Sequence, residues 1–321
     1  MPTYSLVIPA YNEEAVIEEL TDRLVELMDA LDGDAEAILV DDGSQDLTYE
    51  LMLTAAQADA RFCAVHLSRN FGHQIALTAG LDLAGGDAVV IMDADLQDPP
   101  ELVLEFAKRW REGYEVVYGV RSDRLAEAWW RRSVIGLYYR ILRKMTEIDI
   151  PPDAGDFRLV DRRALDAFNA MRERTRYVRG MFAWVGFRQI GVPYKRGARF
   201  AGETKYPLRK LIKLGADGVI SFSALPLRGA LVAGLMTSLA AFLFGAAAIG
   251  MRIADVGNVP GWASIVTVVA FLGGVQLGMA GMTGLYIARI YDEVKQRPLY
   301  VVDAVQRFGA DGAEARFERG F

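Results

Sequence analysis

Between Arg228 and Arg252 the chain carries no charged residue from Gly229 to Met251, and a second uncharged run lies between Asp255 and Arg289. Each exceeds the ~20 residues that a helix needs to cross ~30 Å of hydrocarbon. They account for a mean hydropathy of +0.15 in a chain that is 24% charged. Small residues recur in both (Gly234, Ala240, Ala241, Gly245; Gly273, Gly274, Gly278, Gly281), which predicts close helix–helix packing. The linker RIADVGNVPG is short and turn-rich, so the two runs are expected to form a membrane hairpin, with spans at 229–251 and 262–288. The alternative is a pair of core helices in a soluble domain. Lys205, Arg209, Lys210, Lys213 and Arg228 precede the first span and Arg289, Lys295 and Arg297 follow the second, whereas the linker holds only Arg252. Positive flanks stay in the cytoplasm. Both the region before the hairpin and the tail after it are therefore expected on that side of the inner membrane. No signal peptide is visible in YSLVIPAYNEE, which turns polar after one short apolar run.

Other classes are excluded by composition. A single cysteine, Cys63, rules out a disulfide framework, and two histidines, His66 and His73, cannot build a histidine metal centre. A net charge of −6 argues against a nucleic-acid partner.

Up to about residue 120, short β-rich runs alternate with helical patterns. The runs are YSLVIPA, AEAILVDD, FCAVHLS, DAVVIMDA and EVVYGV, and EEAVIEELTDRLVELMDAL shows helical spacing of its apolar residues. Near-continuous apolar strands alternating with helices predict an α/β fold with a Rossmann-like, mostly parallel sheet. Ligands of such sheets lie beyond the carboxyl ends of the strands. That points to Pro9–Glu13, Asp41–Ser44, Ser68–Asn70 and Asp93–Gln97. Neither a GxGxxG nor a GxxxxGK[ST] motif is present. The strongest feature is DADLQDPPE, Asp93 to Glu101. Two carboxylates one residue apart after a buried strand can share a hard divalent cation that neutralises a diphosphate. Asp98 is expected to cap the helix beginning at Pro99 and Pro100.

Residues 125–146 place Trp130, Val134, Leu137, Tyr138, Ile141 and Met145 on one helical face, with Arg131, Arg132, Arg140, Arg143 and Lys144 mainly elsewhere. A basic amphipathic helix with tryptophans suits a membrane interface. A second such stretch is expected at 205–223, and the alternative for both is a core-packing helix with solvated charges.

Together SLVIPAYNEE, ILVDDGSQD, LSRNFGHQIALTAGL, MDADLQDPPE, YGVRSDR, GDFRLVDR, RGMFAWVGF, AGETKYPLRKL and RIYDEVKQRP resemble glycosyltransferase family 2 with the GT-A fold. The combination is similar to the polyisoprenyl-phosphate glycosyltransferases, the bactoprenol glucosyltransferases above all. The QxxRW motif of processive polysaccharide synthases does not occur. The resemblance implies a cytoplasmic GT-A domain over 1–228, the hairpin over 229–289 and a cytoplasmic tail over 290–321. It implies that Pro9, Tyr11, Glu13, Asp41 and Asp42 cradle the base and ribose of a UDP-sugar, with Arg199 closing over the diphosphate. Asp93 and Asp95, with Gln97, would hold Mg²⁺ or Mn²⁺. Arg121, Arg131 or Arg132, and Lys205 would bind the phosphate of a polyprenyl acceptor, and Asp156 occupies the general-base position. Arg69, Asn70 and His73 are further candidates near sugar or diphosphate, with His73 equally a first-turn helix residue. The implied reaction is inverting transfer of glucose from UDP-glucose to undecaprenyl phosphate at the membrane, by a homo-oligomer. GDP-mannose or a UDP-aminopentose as donor, and a non-catalytic membrane scaffold, remain the alternatives. Because the second pKa of a phosphate monoester is about 6, the acceptor is already largely dianionic at neutral pH. Asp156 is thus expected to orient a partner as readily as to take a proton.

Overall fold

The computed structural model describes residues 2–121, 154–195, 225–253 and 261–308. The interfacial helices expected at 125–146 and 205–223 lie outside the described residues, as does the hairpin linker. The chain divides into two compact units, residues 1–218 with 298–321, and residues 219–297.

The first unit is built on an eight-stranded sheet in the order β7-β5-β6-β4-β1-β2-β3-β8. The five expected strands are all present: β1 Tyr4–Ala10, β2 Ala35–Asp41, β3 Phe62–Leu67, β4 Ala88–Ile91 and β5 Val116–Arg121. Every residue of β1 and β4 is buried, as near-continuous apolar runs require when helices cover both faces of a sheet. Helices α1 (Glu14–Ala30), α2 (Thr48–Ala58), α3 (His73–Leu83) and α4 (Leu102–Arg111) supply the crossovers. Strand β1 pairs in parallel with β2 on one side and β4 on the other. Chain direction therefore diverges at β1, and the crevice beyond the carboxyl ends of β1 and β4 is the topological switch point where such sheets bind ligands.

Three strands go beyond the expectation. Strand β6 (Ala154–Asp161) inserts antiparallel between β4 and β5, and β7 (Gln189–Tyr194) pairs in parallel with the far side of β5. Between them lie α5 (Arg162–Ala170), capped by Asp161 through its side-chain bond to the Arg163 amide, and α6 (Val178–Trp184). Strand β8 (Val302–Arg307) closes the opposite edge antiparallel to β3.

The last strand corrects the expected tail at 290–321. Residues 302–307 of it belong to the sheet, and three contacts tie this stretch there. The Ser68 amide donates to the Val301 carbonyl (3.0 Å), Tyr300 Oη donates to Asp82 (2.7 Å), and Arg307 Nη2 meets Glu36 Oε2 at 2.5 Å. Glu36 is buried and also accepts from Ser5 Oγ and the Gly85 amide, so Arg307 completes a polar cluster inside the sheet layer.

The second unit is a pair of long helices, α7 (Leu225–Ile253) and α8 (Trp262–Val294). Gly229–Met251 and Thr267–Val294 are long and apolar enough to cross a membrane. Large apolar side chains along both (Leu235, Phe242, Leu243, Ile265, Phe271, Leu277) are more than half exposed, unlike those of core helices. The hydroxyls of Thr237 and Thr283 bond back to the carbonyls of Ala233 and Met279, which satisfies them without water. Two expectations change. Helix α8 continues past residue 288 to Val294. Of the glycines named for close packing, Gly234 meets Met279 of α8, while Gly245, Gly273, Gly274, Gly278 and Gly281 face open space.

Candidate active site

Three loops beyond β1, β2 and β3 are knitted into one shelf at the switch point. The Asn12 amide donates to Ser44 Oγ (2.9 Å), the Gln45 amide to Asn12 Oδ1 (2.9 Å), and the Glu13 amide to Thr48 Oγ1 (2.9 Å). Gly43 has φ +67°, and a Cβ there would lie 2.5 Å from the Arg69 carbonyl carbon. Only glycine allows that turn and that approach.

Asp41 and Asp42 build the shelf from below. Asp41 is fully buried, accepts from the Ser44 amide (3.2 Å to each oxygen) and contacts His66 Nδ1 at 2.6 Å. Tyr49 stacks on that imidazole at 4.5 Å. Asp42 is nearly as buried and accepts from the amides of Phe71 (2.7 Å) and Gly72 (2.9 Å). Burial pushes its carboxyl up, against the lowering effect of those two N–H groups. Asp41, with no exposure and protein donors on its oxygens, ties the loops of the shelf together. Pro9 is buried within β1, Glu13 is half-buried, and Tyr11 is 41% exposed on the shelf. Arg69 and Asn70 are exposed, with the Arg69 guanidinium 4.0 Å from the Phe71 ring centroid.

On the other side of the crevice, the ladder between β4 and β6 sets the carboxylates against one another. Ile91 pairs with Arg158, and the antiparallel register continued two residues brings Asp93 toward Asp156. Asp93 Oδ1 is shielded from solvent and has no hydrogen bond; His73 Nε2, at the first residue of α3, is 3.5 Å away. Burial pushes the Asp93 carboxyl up, and the neighbouring Asp156, Asp98 and Asp95 charges add to this while His73 opposes it. Asp95 is buried and accepts from the Gln97 amide (3.1 Å). Between them and Asp98, Leu96 adopts φ +53° although it is a buried, branched residue. Such a conformation costs about 1–3 kcal/mol and is typical of functional loops.

Among the described residues no group of three or more His, Cys, Asp or Glu side chains is arranged to hold a metal. Two carboxylates, one with an unsatisfied buried oxygen, instead suit a cation whose remaining ligands come from substrate phosphate and water. Asp98 does not cap α4, which starts at Leu102 with no side-chain cap. Its carboxylate accepts the hydroxyl of Tyr194.

Asp156 is buried and clamped. Arg179 donates Nε to Oδ1 (2.9 Å) and Nη2 to Oδ2 (3.1 Å), and Gln74 Nε2 reaches Oδ2 at 3.4 Å. Burial works against ionisation, but Arg179, with Arg158 and His73 behind it, overrides burial and holds the carboxyl well below the usual carboxylate range. Arg158 is buried two residues on. Its guanidinium donates to the carbonyls of Asp156 (3.2 Å) and Gly155 (2.8 Å), lies over the Phe182 ring, and is lowered by burial to about 10. It fastens the backbone that presents Asp156. Arg121, at the end of β5, is half-buried with Nε 3.4 Å from Tyr194 Oη. Arg131, Arg132, Arg199 and Lys205 lie outside the described residues.

Arg179, Gln74, His66 and Tyr194 are site-forming residues that sequence reasoning did not single out. RGMFAWVGF, which carries Arg179, stood out only as part of a family resemblance.

A carboxylate loop after the fourth strand, set against a clamped aspartate beside a switch-point crevice, fits a GT-A sugar transferase. The model of glycosyl transferase family 2 matches residues 5–168, and the chain belongs to that family. It is 47% identical over 299 residues to the uncharacterized glycosyltransferase YkcC of Bacillus subtilis (strain 168), covering 93% of each chain. It is 36% identical to a prophage bactoprenol glucosyl transferase homolog of Escherichia coli (strain K12), over 94% of this chain and 99% of that one. The bactoprenol glucosyl transferase of Shigella phage SfII is also 36% identical, over 94% and 98%. Among solved structures, glucosyl-3-phosphoglycerate synthase from Mycobacterium tuberculosis in complex with Mn²⁺, UDP-glucose and phosphoglyceric acid aligns with a TM-score of 0.44 at 23% identity. That alignment covers 67% of this chain and 76% of that one.

Proposed function

We propose that the protein transfers glucose from UDP-glucose to a polyprenyl phosphate of the undecaprenyl class at the cytoplasmic face of the membrane. One observation carries the reading: a single chain joins a carboxylate-lined crevice to an apolar helical hairpin. Relatives named bactoprenol glucosyl transferases match it over 94% of its length, spanning both parts.

The uracil and ribose rest on the shelf, where Tyr11 offers a ring face and Glu13 an acceptor, while Asp41 and Asp42 keep the three loops in register. Asp93 and Asp95, with Gln97 beside them, would hold Mg²⁺ or Mn²⁺, and the bound ion would supply neutralisation of the charge on the leaving group. A phosphate oxygen of the acceptor attacks the anomeric carbon in line, the bond to the nucleoside diphosphate breaks, and the configuration inverts to β. The acceptor enters as a dianion and brings no proton that must be removed. Asp156, engaged by Arg179, therefore serves by fixing that guanidinium beside the reacting groups, and positioning supplies the acceleration. Arg121 receives the acceptor phosphate.

The return of the chain to β8 supports the topology. Residues before the hairpin and residues after it share one sheet, so two crossings would bring the chain back to the side it left, and the basic flanks favour the cytoplasm as that side.

The test is incubation of the purified full chain with radiolabelled UDP-glucose, GDP-mannose or a UDP-aminopentose and undecaprenyl phosphate. Label is expected in lipid from UDP-glucose only, and not in excess chelator. Transfer from another donor alone overturns the donor assignment, transfer in chelator overturns the metal, and no transfer from any donor favours a scaffold.

A further inference from the structure

Arg121 does not stand by itself. Strands β5 and β7 run in parallel with Arg121 paired to Tyr194, so two polar side chains end the same ladder at the crevice. Tyr194 Oη donates to the carboxylate of Asp98 and lies 3.4 Å from Arg121 Nε. The ring is fixed before its hydroxyl is used. It meets Phe157 edge-on at 6.0 Å, and a Cβ on Gly119 would come within 2.7 Å of Cε1, so the residue two before Arg121 leaves room for it. Asp98 is 1% exposed and belongs to the same loop as Asp93 and Asp95. A tyrosine held by a buried carboxylate has one proton, already committed, and presents lone pairs to a neighbouring donor.

We propose that Tyr194 is a positioning residue of the acceptor side: fixed by Asp98, its hydroxyl sets the direction of the Arg121 guanidinium toward the acceptor phosphate. This rests on the reading of Arg121 as the acceptor-phosphate residue. Without the hydroxyl, Arg121 keeps its charge but loses its heading, and the bidentate approach that distinguishes arginine from lysine goes with it. Because Asp98 and Asp93 share a loop, the chain Asp98–Tyr194–Arg121 joins the donor side of the crevice to the acceptor side.

The test uses the full chain in detergent with a short, water-soluble prenyl phosphate as acceptor. Tyr194→Phe keeps the ring against Phe157 and Gly119 and removes only the hydroxyl. Acceptor KM is expected to rise about five- to tenfold, the scale of one ordinary hydrogen bond, as suits the long 3.4 Å contact, with donor KM within about twofold of wild type. In an Arg121→Lys background the same change is expected to add less than about twofold, because no guanidinium remains to direct. Equal effects in both backgrounds, or an equal rise in donor KM, would show that Tyr194 acts on the fold at large and would overturn the proposal. Arg121→Lys with a wild-type acceptor KM overturns the reading of Arg121, and this inference with it. A raised KM in Arg121→Lys together with a wild-type Tyr194→Phe overturns the inference alone. Should Tyr194→Phe melt early, Asp98→Ala, which removes the acceptor that fixes the hydroxyl, gives the same readout with the same two outcomes.

Discussion

The role of Asp156 can be decided by perturbing its partner. Asp156→Asn keeps one acceptor oxygen but sets an NH₂ against a guanidinium donor, so one of the two bonds from Arg179 is lost. A hydrogen bond to a charged group contributes about 1.5–3 kcal/mol, which is about 10- to 150-fold in rate if the orientation of Arg179 is what the reaction needs. Arg179→Ala removes the same arrangement from the other side. If Asp156 works by positioning, the two variants should lose kcat to a similar extent, and the double variant should be no worse than the poorer single. A general base behaves otherwise. Freed from Arg179, a buried carboxylate beside Asp93 would move up from its present low range and become the stronger base. Arg179→Ala would then keep its rate while Asp156→Asn lost the factor of about 10²–10⁴ typical of a missing base.

The assay is kcat with both substrates saturating, from pH 5.5 to 8.5. The folded carboxyl lies below its unfolded value of about 3.9. The stability it contributes is present in full above that value and is lost only as pH falls through the depressed folded pKa. Wild type is thus expected to show no acid limb from Asp156 anywhere in the window. The positioning argument is refuted if Arg179→Ala stays within about threefold of wild type and gains an acid limb while Asp156→Asn falls more than a hundredfold.

Two further outcomes follow from the shelf and from the last strand. Asp42→Asn leaves one of the Phe71 and Gly72 amides without its acceptor; donor KM should rise about five- to tenfold with acceptor KM unchanged, and the reverse pattern in steady-state kinetics would contradict the shelf. Arg307→Met leaves Glu36 Oε2 without its guanidinium at the sheet edge; because Arg307 is 31% exposed and water relieves part of the loss, thermal unfolding should show a drop of about 1–2 kcal/mol, and an unchanged Tm would mean that β8 contributes little. By the same logic a chain ending at Ser223 lacks the strand that covers β3, so its poor behaviour would report the sheet edge and not the loss of a membrane anchor.

What could be read in advance, and what could not, divides along a physical line. Strands β1 to β5 were legible because a strand buried on both faces needs an apolar run, and the loops after them because a carboxylate next to such a run is out of place unless it serves something. Asp93 and Asp95 belong to that class, and so do Asp41 and Asp42, although burial decides which of them faces a ligand. Strand β6 was not legible as a neighbour of β4: GDFRLVDR alternates polar and apolar residues like many surface strands, and its position between β4 and β5 is a long-range pairing. Strand β8 carries Asp303, Gln306 and Arg307 in six residues, which reads as a solvated tail until its partner edge is known. The harder case is the basic partner of each acid. The chain has 36 lysines and arginines, most of them plausible anywhere on a surface, and Arg179 is distinguished only by standing 23 residues from Asp156 in sequence and 2.9 Å from it in space. Lone carboxylates announce a site because burying one is costly; the cation that lowers the cost is chosen by tertiary geometry. Arg179 gives the orienting reading of Asp156 the partner that the sequence could not name. An acid beside a fixed guanidinium is half of an ion pair, and on the proposed reading its value lies in where it holds the positive charge.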